Sequence, residues 1–114
     1  MPDCVFCKIA AGEIPCRQAY EDDSVLAFYD IHPQAPVHIL IIPKAHIACG
    51  AAEVTEENSA LVGRCFEAAA RLAKELGVTG GFRIVTNNGP GAGQTVSHLH
   101  FHLLAGRELG LTMG

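Results

Sequence analysis

The 114-residue sequence has no long apolar run and little basic charge, and both absences restrict its function. No run approaches the ~20 apolar residues that a membrane-spanning helix needs, so we expect no membrane partner. Eight Lys and Arg against twelve Asp and Glu give a formal net charge of −4. This balance lacks the basic footprint of a nucleic-acid-binding protein. A small phosphate-bearing ligand is compatible with it, because backbone N–H groups, hydroxyls and imidazoles can hold an anion locally.

The sequence also lacks the signs of a secreted protein. Its N-terminus has an early acidic residue, Asp3, and no long apolar segment, which argues against a secretory signal. The five cysteines are an odd number with one close pair, Cys4 and Cys7, and this pattern is not typical of a disulfide framework. Reduced thiols are the default in the cytosol, so we predict a cytoplasmic protein.

No internal repeat, low-complexity tract or linker interrupts the sequence, and we predict a single domain over residues 1–114. Hydrophobic residues make up 49% of the chain, enough for a core without disulfides. The order of the segments predicts an α+β fold with an antiparallel sheet. The predicted elements are a short helical turn at 4–11, a long helix at 55–76, and strands at 24–29, 37–42, 82–87 and 96–104.

The long helix has the clearest end signals. Thr55 is a good N-cap with acidic residues after it, and Gly77 lies where a left-handed C-terminal residue belongs. Apolar residues recur at three- and four-residue steps and predict one buried stripe. The predicted stripe consists of Val62, Phe66, Ala69, Ala73 and Leu76.

The last predicted strand carries a histidine at every second position. Side chains alternate along a strand, so His98, His100 and His102 would line one face, each about 7 Å from the next. The apolar residues between them would pack beneath the long helix. Three such imidazoles can bind a transition metal, although no acidic residue lies close in sequence to complete a catalytic site. A solvent-facing edge strand that happens to carry histidines is the structural alternative.

A glycine-rich loop at 89–95 precedes the histidines. Its glycines let backbone amides approach an anion, and Gln94 and Thr95 add side-chain donors. The loop lacks the lysine of a Walker-type phosphate loop and leads into a strand instead of a helix. Glycine is also common in ordinary turns, but beside three histidines the loop favours phosphoryl chemistry.

The run from His98 to Leu104 resembles the signature of the histidine triad (HIT) family, in which histidine alternates with a hydrophobic residue. The resemblance extends over nearly the whole chain and is strongest for the HINT branch, which consists of small purine nucleoside phosphoramidases. The other segments that carry it are Cys4-Val5-Phe6-Cys7-Lys8-Ile9, Tyr29-Asp30-Ile31, Pro33-Gln34-Ala35-Pro36-Val37-His38, Ile42-Pro43-Lys44-Ala45-His46 and Gly93-Gln94-Thr95-Val96.

The resemblance implies a HIT-like fold with a five-stranded antiparallel sheet and one long and one short helix, assembled as a homodimer. It also implies hydrolysis of purine nucleoside 5′-phosphoramidates, or related adenylates, through a nucleotidyl-histidine intermediate on His100. Two alternatives are a nucleotide-binding interaction protein with incidental turnover and a hydrolase of dinucleoside polyphosphates.

The resemblance further implies roles for single residues. His100 would be the nucleophile, His38 would lie behind the triad in its hydrogen-bond network, and Thr95 or a neighbouring imidazole would relay a proton to the leaving group. The implied nucleotide contacts are Asp30 at the ribose, Ile31 at the base, and Asn87, Gly93, Thr95 and His102 at the phosphate. The loop sequence adds Gln94 as a further donor to the nucleotide. From the residues alone, Asp30 is typical of a turn and His38 of a satisfied core histidine.

Cys4 and Cys7 have the spacing of a zinc knuckle, but a zinc site needs two further ligands. The resemblance to zinc-binding members of the wider superfamily implies that these are His46 and His98. Two cysteines and two histidines leave no open coordination position, so the zinc would be structural. We expect no organic cofactor. If His98 holds zinc, it cannot donate the proton to the leaving group, and Thr95 or His102 must do so.

Overall fold

A computed structural model of the chain describes residues 4–113. The elements are helix α1 (Val5–Ala10), strands β1 (Gln18–Glu21), β2 (Val25–Tyr29) and β3 (Val37–Pro43), helix α2 (Ser59–Glu75), and strands β4 (Phe82–Val85) and β5 (Phe101–Ala105). The strands form one antiparallel sheet in the order β1-β2-β3-β5-β4, which confirms the predicted α+β architecture. Among the described residues, no helix is both long and apolar enough to cross a membrane.

Strand β3 lies at the centre of the sheet. Its run of apolar residues, interrupted only by the buried His38, suits this position, because a strand covered on both faces has no side that faces solvent. The register with β5 places Leu40 opposite His102 and His38 opposite Leu104. Directly opposite residues share a face of the sheet, so the central strands bring His38 and His102 to the same side.

Each face of the sheet has its own core. Helix α2 covers one face, where Leu99, Phe101 and Leu103 are buried with the apolar residues of the helix. On the other face the short helix α1 inserts Phe6 among apolar residues of β2 and β3. The histidines alternate with the α2-facing residues, so they belong to the α1 side, away from the long helix.

Strand β5 is shorter than predicted. It begins at Phe101, so the prediction that the strand covers 96–104 and carries all three histidines is wrong: His98 and His100 precede it. The alternation that suggested the strand is present as a choice of face, since Leu99 packs in the α2 core whereas His98 and His100 pack against Phe6 on the other side. Leu99 N–H donates to the Ala48 carbonyl, outside any strand ladder. The side chains therefore alternate between the two faces over a stretch that is buried throughout but lies outside the strand.

Helix α2 begins later than predicted. Asn58 precedes its first residue, and Thr55 instead opens a preceding turn in which its N–H donates to Asn58 Oδ1. The predicted apolar stripe was also partly wrong, because Phe66 and Leu76 are 48% and 38% exposed. The buried helix residues are Cys65, Ala68, Ala69, Leu72 and Ala73. Small alanines fill that face because they allow the helix to approach the sheet closely.

Two further features of the fold are the C-terminal end of α2 and the edge strand β1. Gly77 has φ +70°, which confirms the left-handed residue predicted after the helix. Strand β1 was not predicted, because its four residues, Gln18–Glu21, are short, mixed in polarity and partly exposed. Such a strand forms at the sheet edge through pairing with β2, and this pairing is not encoded in its own periodicity.

Candidate active site and metal centre

The middle histidine has one ring nitrogen fixed by the main chain. His100 Nδ1 lies 2.7 Å from the carbonyl oxygen of His98, and the ring is buried, with 5% of the residue exposed. A carbonyl oxygen can only accept, so Nδ1 carries the proton and Nε2 of the neutral ring keeps its lone pair. An imidazole held in this tautomer presents a nucleophilic nitrogen.

A second chain of hydrogen bonds fixes His38 and His102. The Gln34 N–H donates to His38 Nδ1 over 3.0 Å, so the proton of neutral His38 is on Nε2. His38 Nε2 lies 2.8 Å from His102 Nδ1 and donates to it, which leaves the proton of His102 on its own Nε2. Asp30 Oδ2 lies 3.4 Å from the same His38 Nε2 as a neighbouring negative charge. His102 therefore offers an N–H donor from Nε2, whereas His100 offers a lone pair.

Burial keeps these imidazoles neutral. The pKa of His102 is lowered to about 4, mainly by burial and also by the nearby His100 and His38, whereas Asp30 opposes the shift. Burial also lowers the pKa of His38, again against the Asp30 carboxylate. The Nε2–H of His102 at neutral pH is consequently that of a neutral imidazole, which can still donate a hydrogen bond to an anion.

A metal ion at Asp30, His38 and His102 is disfavoured by the same hydrogen bonds. Their ligand atoms lie within 4.8 Å of one another. Metal binding would require a lone pair on His38 Nε2 and move the proton of neutral His38 to Nδ1. Nδ1 would then face the Gln34 N–H, donor against donor. This cluster suits proton transfer better than coordination.

The first histidine belongs to a different cluster. Ligand atoms of Cys4, Cys7, His46 and His98 lie within 4.8 Å of one another. His98 Nδ1 is 3.3 Å from Cys4 Sγ and 3.6 Å from Cys7 Sγ, and His46 Nδ1 is 3.5 Å from Cys7 Sγ. Atoms bonded to one tetrahedral zinc ion at about 2.0–2.3 Å lie roughly 3.5 Å apart, so these residues fit zinc.

The main chain also orients the ligands of this cluster. His98 Nε2 lies 2.8 Å from the Pro43 carbonyl and donates to it, which leaves Nδ1 free for a metal. Cys4 caps helix α1, and Cys7 N–H donates to its sulfur over 3.4 Å. The ring of Phe6, between the two cysteines, packs edge-on against His98 and His100 at centroid distances of 5.8 and 5.0 Å.

The glycine-rich loop lies before the histidines and contains a single-turn 3₁₀ helix, Pro90–Ala92. Gly89 and Gly93 flank it with φ near +86° and +85°, a conformation that favours glycine. Thr95 is exposed and Asn87 is half-buried. The Gln94 side chain instead turns inward, onto main-chain atoms of the loop and of Cys49.

The family model described as HIT domain matches residues 11–109 of this chain. The chain belongs to the HIT family. The HIT family hydrolase from Clostridium thermocellum has a TM-score of 0.95 and 46% identity, with 99% of this chain and 98% of that chain covered. A histidine triad protein from Clostridium difficile has a TM-score of 0.94 and 44% identity, with 99% and 98% covered. The predicted HIT-like fold is thereby confirmed.

The similarity to curated relatives indicates which branch of the HIT family contains this chain. Adenylylsulfatase HINT1 of Arabidopsis thaliana is 46% identical over 106 residues, covering 92% of this chain and 72% of that protein. A 14 kDa zinc-binding protein of Brassica juncea is 47% identical over 108 residues, covering 94% and 96%. This chain is a HINT-like member of a family of nucleotide hydrolases.

The site of this HIT protein contains most of the residues singled out in the sequence. His38, His100 and His102 lie together, and His98 joins the cysteines. Asp30 fits both of its interpretations, because Oδ1 accepts the His32 N–H in a turn while Oδ2 faces His38. Ile31 beside it is 86% exposed.

Three groups in this site were absent from the sequence-based prediction. The Gln34 N–H and the Pro43 carbonyl set the tautomers of His38 and His98, and Phe6 packs on two histidines. Main-chain groups of this kind leave no signal in residue identity, because every non-proline residue carries an N–H and every residue a carbonyl. Phe6 could have been found from its position between the two cysteines.

The neutral histidines make stability depend on pH. The native state binds fewer protons than the unfolded chain between the ordinary histidine pKa of 6.5 and the His102 pKa of about 4. Stability is therefore expected to fall as the pH drops through this window. Urea denaturation at pH about 7 and about 5 measures it. The His102→Gln variant should show a smaller fall, and equal falls in both proteins would contradict the assignment.

Proposed function

We propose that this HIT protein hydrolyses purine nucleoside 5′-phosphoramidates and related adenylates through a covalent nucleotidyl-histidine on His100. The observation that supports this most is the hydrogen bond from His100 Nδ1 to the His98 carbonyl, which leaves Nε2 as a buried lone pair. Binding alone would not require a nucleophile held in this tautomer. The adenylylsulfatase relative extends the proposal to adenylates with other leaving groups.

The proposed reaction has two displacement steps. His100 Nε2 attacks the α-phosphorus, the new N–P bond forms, and the bond to the amine breaks as the amine nitrogen takes up a proton. Water then attacks the same phosphorus and returns a proton to the group that protonated the amine, the N–P bond to His100 breaks, and the nucleoside monophosphate leaves with the imidazole restored. The His102 Nε2–H and the amides of the loop donate to the phosphate oxygens, where charge develops.

The other implied contacts follow the same arrangement. Asp30 would hold the ribose hydroxyls and the exposed Ile31 would contact the purine, while Asn87, Gly93 and Thr95 would contact the phosphate. Thr95 is exposed, and its hydroxyl is the proposed proton relay to the leaving group if His98 holds a metal.

We assign Cys4, Cys7, His46 and His98 as the four ligands of a structural zinc ion. With four protein ligands the ion would have no open position for substrate, so it would supply fixed geometry instead of Lewis-acid chemistry. The residues themselves would tie helix α1 to the segment that carries His98. The zinc-binding relative supports this assignment.

The proposed assembly is a homodimer. Strand β4 is at one end of the sheet, and edge strands present unpaired N–H and C=O groups to a partner. Exposed apolar side chains lie on α2 (Phe66), directly after it (Leu76) and on β4 (Phe82), and a second copy would cover this surface. The cytoplasmic location stays a prediction.

Trapping the intermediate tests the proposed function. Wild-type protein is mixed with adenosine 5′-phosphoramidate labelled at phosphorus, denatured at alkaline pH during turnover, and digested for peptide mapping. We expect label on the peptide containing His100, together with AMP release. Adenylyl sulfate, run in parallel, shows whether a second leaving group is accepted. AMP release without any labelled peptide would rule out the covalent route, and no AMP release from either substrate would rule out the hydrolase.

A further inference from the structure

The side chain of Gln94 is fully engaged with the main chain. Its Nε2 donates to the carbonyls of Cys49 and Val96 over 2.5 and 2.9 Å, and its Oε1 accepts the Gly89 N–H over 2.7 Å. A carboxamide has only two N–H donors, and both are used here. Gln94 therefore has no free N–H for a phosphate, although its place in the glycine-rich loop suggested one.

A second side chain makes a parallel connection. Asn88 Oδ1 accepts the Ala52 N–H over 2.9 Å, so it ties the start of the glycine-rich loop to the same segment that Gln94 reaches at Cys49. That segment, residues 48–52, begins two residues after His46, a member of the proposed zinc site. Two carboxamides thus link the loop that faces the phosphate to a segment anchored near the metal cluster.

Gly50 lies where these two side chains meet. A Cβ on Gly50 would lie 2.5 Å from Asn88 Oδ1 and 3.2 Å from Gln94 Oε1. Its φ of −165° is ordinary extended backbone, so the requirement for glycine is one of space and not of conformation. The atoms that a methyl group would strike are the ends of side chains, so the chain can fold around it by releasing the two carboxamides.

We propose that Gln94, Asn88 and Gly50 form a loop clamp that positions the glycine-rich loop for the phosphate, and that Gln94 is a positioning residue which does not itself contact the nucleotide. The inference rests on the proposed function, because a phosphate at this loop is part of it. The clamp makes phosphate binding depend on Gly50, a residue without a side chain to offer a ligand.

Binding measurements on Gln94→Ala, Gly50→Ala and the double variant test the loop clamp. Calorimetry gives the Kd for AMP and for adenosine, which lacks the phosphate. We expect each single variant to weaken AMP binding about tenfold, as the loss of hydrogen bonds that hold a binding loop predicts, and to leave adenosine binding unchanged. The double variant should be no weaker than the singles, because both changes break one connection.

The matched control is Gly63→Ala. Gly63 lies in α2, and a Cβ there meets nothing within 4 Å, so this variant should bind AMP like the wild type. A direct phosphate contact by Gln94 would leave Gly50→Ala with wild-type affinity or make the two effects additive, and either result would overturn the proposal. Equal losses for AMP and adenosine would also overturn it, because they would indicate general damage to the site.

Hydrogen exchange separates the clamp from the proposed function. The Gly89 amide should exchange faster in Gln94→Ala and in Gly50→Ala than in the wild type or in Gly63→Ala, with no nucleotide present. Unchanged exchange at Gly89 would refute the clamp whatever the nucleotide results. If exchange at Gly89 is faster in both variants but the wild type binds no AMP, the proposed function fails. The phosphate-positioning role then fails with it, although the hydrogen-bonded clamp itself is present.

Discussion

Replacing His100 with alanine is expected to slow AMP release from adenosine 5′-phosphoramidate by on the order of 10⁴-fold or more, as loss of a covalent nucleophile does in other enzymes. The physical reason is that His100 Nε2 is the lone pair that the His98 carbonyl leaves free. AMP affinity should change little, because the nucleophile gains its interaction only when the bond to phosphorus forms. Single-turnover rates and calorimetric Kd values measure the two effects separately.

Two further variants sharpen this result. His102→Ala removes an N–H donor but leaves the nucleophile, so we expect a smaller loss, on the order of 10²-fold to 10³-fold, with the labelled His100 peptide still formed. Arg64→Ala is the control, because Arg64 is an exposed residue of α2, across the sheet from the histidines, and this variant should react at the wild-type rate. Rates for His100→Ala within tenfold of the wild type would exclude His100 as the nucleophile.

Replacing Cys7 with serine is expected to abolish the proposed zinc binding and to lower the thermal stability of the protein strongly. A ligand present at 1,000 times its Kd stabilises the native state by about 4 kcal/mol. For a chain of this size that corresponds to a fall in Tm of about 15 °C. The loss is expected because Cys7, with Cys4, ties helix α1 to His46 and His98, ligands that come from distant parts of the chain.

The chain offers a matched control for this variant. Cys16 is exposed and lies outside the metal cluster, so Cys16→Ser should keep both the metal and the wild-type Tm. Metal analysis of the purified proteins and melting curves with added zinc or chelator give the comparison. Equal Tm values for Cys7→Ser and Cys16→Ser, with zinc supplied to both, would show that the cluster holds no structural metal.

Sequence alone determined the features that depend on neighbours along the chain. The alternation from His98 to Leu104 separated the histidines from the residues that pack under α2, and the apolar run at 37–42 identified the central strand. The cysteine spacing indicated two members of the Cys4, Cys7, His46 and His98 cluster, which could hold a metal, and the resemblance supplied the two histidines. Such patterns are readable because side-chain periodicity and ligand type are written in residue identity.

Only the tertiary structure decided which atom of each residue acts. The tautomers of His100, His98 and His38 are set by one carbonyl or N–H each, from His98, Pro43 and Gln34. The same holds for Gln94, whose residue type predicts a donor to phosphate but whose donors reach Cys49 and Val96. Almost every residue has the same main-chain N–H and carbonyl groups, so residue identity does not show which of them a side chain will contact. Whether a side chain faces a ligand or a carbonyl depends on segments that meet only after the chain has folded.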